Sequence, residues 1–144
     1  MNQLTIGKLS TLTDASTVTI RFYEKRGLIK PSGRSPAKYR LYSPAIVDQI
    51  VFIKNAQDVG FTLREIKSLI DLLNSKKATS RDIRENTLSK VKEIQEKIVT
   101  LKNMQKILER WASACDGKMP IEDCPILKKL FQPTKRIMNS KKEK

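Results

Sequence analysis

Two cysteines carry the most reactive chemistry in this sequence. Cys115 and Cys124 are separated by eight residues, among them Asp116, Gly117, Glu122 and Asp123, and Pro125 follows directly. None of the 144 residues is histidine. That absence excludes imidazole general bases, Ser-His-Asp and Cys-His nucleophile systems and histidine-ligated metals, and no enzymatic activity is expected. Thiolates without histidine favour soft ions of the Cu(I), Zn or Hg type over hard cations. Zinc normally takes four ligands and one chain offers two thiols, whereas two sulfurs suffice for a linear monovalent ion. Asp116, Glu122 or Asp123 could complete a divalent site, or stand as solvated loop charges. Outside metal chemistry, the cysteines could pack unliganded as small hydrophobes. They could also form a thiol redox switch, although the spacing is not Cys-x-x-Cys and no base is at hand.

The loop between the thiols has to be held by what precedes it. From about Ser80 to Ala114 there is neither Gly nor Pro, and Val91, Ile94, Ile98, Leu101, Gln105, Leu108, Ala112 and Cys115 alternate spacings of three and four. That is a heptad seam, on a helix about 50 Å long at 1.5 Å per residue. A helix of that length cannot bury its stripe against the small domain that precedes it. Antiparallel or parallel pairing with a second chain is therefore expected, a hairpin folded back on its own domain being the alternative. Asp116-Gly117 breaks the helix after Cys115.

Charge points to a second chemistry. Lys and Arg number 29 against 15 Asp and Glu, giving +14 and a polyanion as the first partner to consider. Residues 1–44 hold 8 basic and 2 acidic side chains, whereas residues 45–80 hold 5 and 4. The excess is thus concentrated at the N-terminal end. No stretch approaches the roughly 18 to 20 apolar residues of a membrane span, and the start MNQLTIGKLS lacks the pattern of a signal peptide. A cytoplasmic protein with reduced thiols and no membrane partner is expected.

The elements of that basic end follow from spacing and punctuation. Ile6, Leu9 and Leu12 predict a short helix ending near Asp14; Ser16 caps a second, packed through Ile20 and Phe22/Tyr23 and closed by Gly27. Leu28 to Pro31 reads as extended, Ser32 to Lys38 as a loop and Tyr39 to Tyr42 as a strand. Ser43-Pro44 opens a third helix carrying Ile46, Val47, Ile50, Val51, Ile53, Ala56 and Val59, closed by Gly60. Thr62-Leu-Arg-Glu65 is a capping box for a fourth, with Ile66, Leu69, Ile70 and Leu73. Two helices followed by a hairpin give a winged helix-turn-helix outline. In that motif the start of the second helix meets base edges and basic groups elsewhere hold phosphates. Thr17, Val18 and Thr19 are the candidate base readers. Arg21, Tyr23, Arg34, Lys38 and Arg40 suit phosphates, although Tyr23 could equally be core and Arg21 part of a solvated face.

The order Leu4-Thr-Ile-Gly-Lys-Leu9, Thr19-Ile-Arg-Phe-Tyr-Glu-Lys-Arg-Gly-Leu28, Tyr39-Arg-Leu-Tyr-Ser43, Ala56-Gln-Asp-Val-Gly-Phe-Thr-Leu-Arg-Glu-Ile66 and Cys124-Pro-Ile-Leu127 resembles the MerR family of bacterial transcription regulators. The resemblance spans about residues 4–131. It implies an all-α dominated fold: a winged helix-turn-helix DNA-binding domain over residues 1–76 and a dimerisation helix over 77–115 forming an antiparallel coiled coil. A metal-binding loop and short helix over 116–132 follow, and the tail 133–144 is expected to be basic and disordered. The homodimer would read a dyad-symmetric promoter, with Arg21, Tyr23, Tyr39 and Arg40 at positions of backbone contacts. Val18 departs from the many relatives with Arg or Lys there, which implies apolar contact. The wing loop Arg34-Ser-Pro-Ala-Lys38 departs too, since relatives usually carry Gly or Asn.

Metal-sensing relatives share the Cys, loop, Cys-Pro arrangement, and divalent sensors add a third Cys at the start of the partner's long helix. Ser80 stands at that position, as in the copper-efflux regulator branch. The resemblance therefore implies Cu(I) or another thiophilic ion as effector on Cys115 and Cys124. Ser80 of the partner subunit would cap the site, and Ile121, Pro125, Ile126 and Leu130 would exclude water. The loop is one residue longer than is usual for copper sensors, which keeps the mercury and zinc types open. Activation would come from kinking and untwisting promoter DNA so that RNA polymerase engages both of its elements.

Overall fold

A computed structural model describes residues 2–133, and the chain divides into two compact units, one ending at Lys90 and the other beginning at Val91. In the first, β1 (Leu4–Thr5) runs straight into α1 (Ile6–Thr13), whose N-cap is Thr5. The apolar stripe differs from the expected one at its end: Leu9 and Thr13 are buried and Leu12 is exposed. Thr13 tolerates burial because its hydroxyl donates to the Leu9 carbonyl at 2.8 Å. The helix ends at Asp14 in the left-handed conformation, where Lys54 Nζ donates to the carbonyls of Thr13 and Asp14 at 3.2 and 2.6 Å. α2 (Thr17–Lys25) begins at once, Ser16 Oγ accepting from the Thr19 N–H at 3.0 Å. Both sides of the α1–α2 turn are thus tied by polar groups, which fixes the direction in which α2 leaves it.

Ile20 and Tyr23 form the buried face of α2. Phe22, expected to share it, is exposed, with the Arg26 guanidinium 5.2 Å from its ring centroid. Gly27 closes the helix at φ 77°, a position that favours glycine. Leu28 and Ile29 then enter the core as irregular chain. The wing is β2 (Gly33–Arg34) paired antiparallel with β3 (Arg40–Tyr42), and β3 also pairs with β1, Leu4 opposite Tyr42 and Thr5 opposite Leu41. The sheet order is β1-β3-β2. Between β2 and β3 the Lys38 N–H donates to the Ser35 carbonyl at 2.8 Å, which places Pro36 second in a β-turn, where its fixed φ suits the turn. Lys38 leaves that turn at φ 68°.

α3 (Ala45–Asp58) starts one residue after Pro44, with Ser43 Oγ accepting from the Ala45 N–H at 3.3 Å. Ile46, Ile50, Ile53 and Ala56 are its buried face; Val51 and Val59 point outward. α4 (Leu63–Leu73) opens with the expected capping box, both hydrogen bonds between Thr62 and Glu65 being made. These helices close over Leu9, Ile20, Tyr42 and Ile66 in one core. α5 (Ser80–Ser113) begins in this unit, where Lys90 is only 5% exposed: its Nζ lies 2.8 Å from Glu65 Oε1 and 5.7 Å from the Phe61 ring centroid.

The second unit contains the rest of α5, a single 3-10 turn (Ile121–Asp123) and α6 (Pro125–Leu130). Val91, Ile94, Ile98, Leu101 and Leu108, the apolar members of the heptad seam, are all exposed in the single chain. Among the described residues no helix is long and apolar enough to cross a membrane. Of the tail expected to be disordered, everything after Pro133 lies outside the described residues.

Candidate nucleic-acid interface and thiol site

Five of the predicted phosphate-binding residues converge. Arg21 from α2 and Arg34, Lys38, Tyr39 and Arg40 from the wing line one cleft of about 350 Å³, whose remaining wall is Thr5 and Ile6 at the start of α1. Four fixed cations therefore share a concave surface with a helix N-terminus, where the dipole and free N–H groups favour anions. α1 and α2 carry no acidic residue in their first turns, whereas α3, α4 and α5 carry Asp48, Glu65 and Asp82 there. Arg40 is held by Glu24, Nε to Oε1 at 3.1 Å, and the other Glu24 oxygen accepts from the Tyr42 hydroxyl at 3.0 Å. Burial, reinforced by that carboxylate, pushes the Tyr42 hydroxyl up to about 12, so it stays a donor at any ordinary pH. Arg34 Nη1 donates to the Lys38 carbonyl at 3.2 Å, bracing the wing turn from its open side.

The base-reading candidates separate by environment. Val18 is exposed, Thr17 and Thr19 are half-buried, and the Thr19 hydroxyl is 2.8 Å from that of Ser16. Tyr23 is corrected: it is 2% exposed, and its hydroxyl donates to Gln57 Oε1 at 2.6 Å. Burial, and secondarily the charge of Asp58, raises its pKa. It is a core tyrosine tying α2 to α3, with no surface left for phosphate.

The thiols lie in the second unit. The Cys115 N–H donates to the Ala112 carbonyl at 3.2 Å, finishing the long helix. The chain then turns through Asp116, whose Oδ1 accepts from the Lys118 N–H at 2.8 Å, and Gly117 at φ 78°. Cys124 is the residue from which α6 departs, with Pro125 in its first turn. Both cysteines are free thiols and half-buried. The Leu127 N–H first, then the Ile126 N–H and the Cys115 thiol, hold the Cys124 pKa below the usual thiol value against the opposing effect of burial. Among the described residues no group of three or more Cys, Asp or Glu side chains is placed to hold a metal, so Asp116, Glu122 and Asp123 do not gather around the pair. Of the expected apolar cover, Pro125 and Ile126 are half-buried, and Ile121, though exposed in the single chain, lines one cleft with Cys124 and Leu127; Leu130 is exposed in the single chain.

The pattern of the MerR HTH family regulatory proteins matches residues 4–73, and that of the MerR DNA-binding region matches residues 47–111. The chain is 37% identical over 127 residues to the mercuric resistance operon regulatory protein of Bacillus cereus, 88% of this chain and 96% of the relative. The chain belongs to the MerR family. Within that family it is also 35% identical over 127 residues to the HTH-type transcriptional regulator CueR of Escherichia coli O6:H1, 88% of this chain and 93% of the relative. Its fold matches that of the transcription regulator PbrR691 from Ralstonia metallidurans CH34, solved in complex with lead(II). The TM-score is 0.76 and the identity 26%, over 87% of this chain and 97% of the other. These relatives are transcription regulators rather than enzymes, and they bear out the resemblance to the metal-sensing branch of the MerR family.

In this MerR-family chain three residues that shape the basic cleft, Thr5, Ile6 and Glu24, escaped sequence reasoning. Thr5 and Ile6 enter it because β1 delivers the start of α1 to the wing, and a two-residue strand has no periodicity to read. Glu24 orients Arg40 across the helix-to-wing junction, a tertiary contact whose only sequence signal is an acid amid bases.

Proposed function

We propose that this MerR-family regulator binds a dyad-symmetric promoter as a homodimer and activates transcription when a thiophilic monovalent ion, Cu(I) or Ag(I), binds Cys115 and Cys124. The observation that carries the metal assignment is the pair of free, half-buried thiols at the two ends of one short loop, Cys115 finishing the long helix and Cys124 opening α6 where its amides favour thiolate. Thiolates are the ligands that soft ions prefer, and two satisfy a low coordination number. A bound ion would supply a link between the end of the long helix and the start of α6. The chain's own residues supply the rest. Arg21, Arg34, Lys38, Tyr39 and Arg40 grip phosphates, Thr17, Val18 and Thr19 face the major groove, and residues 77–115 pair two subunits through the exposed seam. Ser80 of the partner subunit closes the thiol site in place of a third cysteine. Activation acts by distorting the promoter so that RNA polymerase engages both elements, a cost in DNA deformation borne by the protein contacts.

Transcription in vitro from the DNA upstream of its own coding sequence tests this, with Cu(I), Ag(I), Zn(II) and Hg(II) supplied in turn. Response to the monovalent ions alone is expected. Cys115→Ser and Cys124→Ser should bind the same DNA and lose the response; unchanged induction in either removes the metal assignment. A divalent reading is favoured by two comparisons, the mercuric regulator at 37% identity and the lead(II) complex at TM-score 0.76. Induction by Hg(II) or Zn(II) without Cu(I) would select it.

A further inference from the structure

We propose that Val18 is the base-selecting residue of α2 and that it selects thymine, through the C5-methyl group. The inference rests on the reading that the α2 face binds DNA and names the base chemistry it reads.

Val18 is 73% exposed in the first turn of α2, the part of a helix-turn-helix that reaches base edges. No core residue needs it there, and a β-branched side chain is a poor choice for an exposed helix start that has only to be helical. Two of the hydroxyls beside it serve the helix cap: Ser16 Oγ accepts from the Thr19 N–H at 3.0 Å and lies 2.8 Å from Thr19 Oγ1. Arg21, the next residue along the same face, turns into the cleft with Arg34, Lys38 and Arg40, where phosphate is the matching ligand. The side chain that the first turn exposes most is the isopropyl group of Val18, Thr17 and Thr19 being half-buried.

In the major groove only thymine presents a methyl group; guanine, cytosine and adenine present hydrogen-bonding atoms at the corresponding edge. Against Val18 those atoms would lose water and gain nothing, so the residue discriminates by exclusion as well as by attraction. Valine also holds one strongly preferred rotamer in a helix, so little side-chain freedom is lost on contact. A lysine or arginine at this position would favour guanine instead.

The test selects binding sites from a randomised duplex pool with the full-length protein and with Val18→Arg and Val18→Ala. Wild type should enrich thymine at one dyad-related pair of positions, Val18→Arg should enrich guanine there, and Val18→Ala should lose the preference while other positions persist. Replacing that thymine by deoxyuridine removes only the methyl group. It should weaken wild-type binding about fourfold for each half-site, the scale of one buried methyl, and leave Val18→Ala unchanged. Enrichment of a dyad with no position that depends on residue 18, or equal deoxyuridine losses in wild type and Val18→Ala, overturns the thymine assignment alone. Failure to enrich any duplex overturns the DNA-binding reading and the assignment with it. Far-UV circular dichroism keeps a misfolded variant from counting as either.

Discussion

Glu65→Gln should destabilise the first unit at neutral pH and have no effect in strong acid. Glutamine at this position still accepts the Thr62 N–H bond that the carboxylate takes at 2.9 Å, so the capping box survives. What disappears is the charge 2.8 Å from the buried Lys90 ammonium. The Lys90 hydrogen bond first, with the Thr62 N–H behind it, lowers the Glu65 pKa from 4.5 to about 2. Read fully as free energy, at about 1.4 kcal/mol per pH unit, that drop would contribute roughly 3 kcal/mol. The Glu65 side chain is 42% exposed, however, and solvent screening brings the expected effect down to about 1 kcal/mol. Because the folded-state value is depressed, this stability is fully present above pH 4.5 and is lost as pH falls through about 2. Urea unfolding followed by circular dichroism, at fixed protein concentration, should find the variant less stable by about 1 kcal/mol at pH 7. The two proteins should converge between pH 4 and pH 2. A difference that persists undiminished at pH 2, or none at pH 7, would refute the claim that a charge pair joins α4 to α5.

Lys38→Gly relieves a left-handed residue at φ 68°; stability should hold or rise by about 0.5 kcal/mol, while DNA affinity falls and the salt slope loses about one unit. Tyr23→Phe removes the hydroxyl that donates to Gln57, whose exposed amide water can then satisfy, and should cost about 1 kcal/mol of stability with the salt slope unchanged. Tyr39→Ala should do the reverse, sparing the melting temperature and weakening DNA binding. Ile98→Asp puts a charge in the heptad seam and should convert the proposed dimer to monomers in sedimentation equilibrium.

The helices were legible because caps and glycines punctuate them: Ser16, Thr62, Gly27 and Gly60 all act where their residue types predict. Phase within a helix was less legible. Thr13 displaces Leu12 from the core by hydrogen-bonding its own helix, an option that hydrophobicity alone does not register. Phe22 and Tyr23 are adjacent and cannot share one face. Tyr23 is the buried one because Gln57, 34 residues away, supplies a partner for its hydroxyl. The same long-range contact removed Tyr23 from the DNA-binding set. The cations needed no such contact, since a charge kept at the surface remains available wherever the backbone turns, and Arg21, Arg34, Lys38 and Arg40 line one cleft.

The spacing of the thiols was equally plain in the sequence, but the groups that tune them were not, because those arise only once α6 forms. Pro125 opens that helix and brings no N–H, so the first free donors behind Cys124 belong to Ile126 and Leu127. Both favour the thiolate at Cys124, Leu127 the more strongly. A metal ion must displace the proton from a thiol before it can bind, so a depressed pKa reduces proton competition near neutral pH. The main cause is backbone rather than Cys115, and it should therefore survive when Cys115 is removed. In Cys115→Ser, the pH dependence of iodoacetamide alkylation at Cys124 should retain a midpoint below that of an ordinary thiol. A midpoint at or above the ordinary value would mean that the α6 amides do not act on the sulfur, and that the thiolate bias depends on the second cysteine.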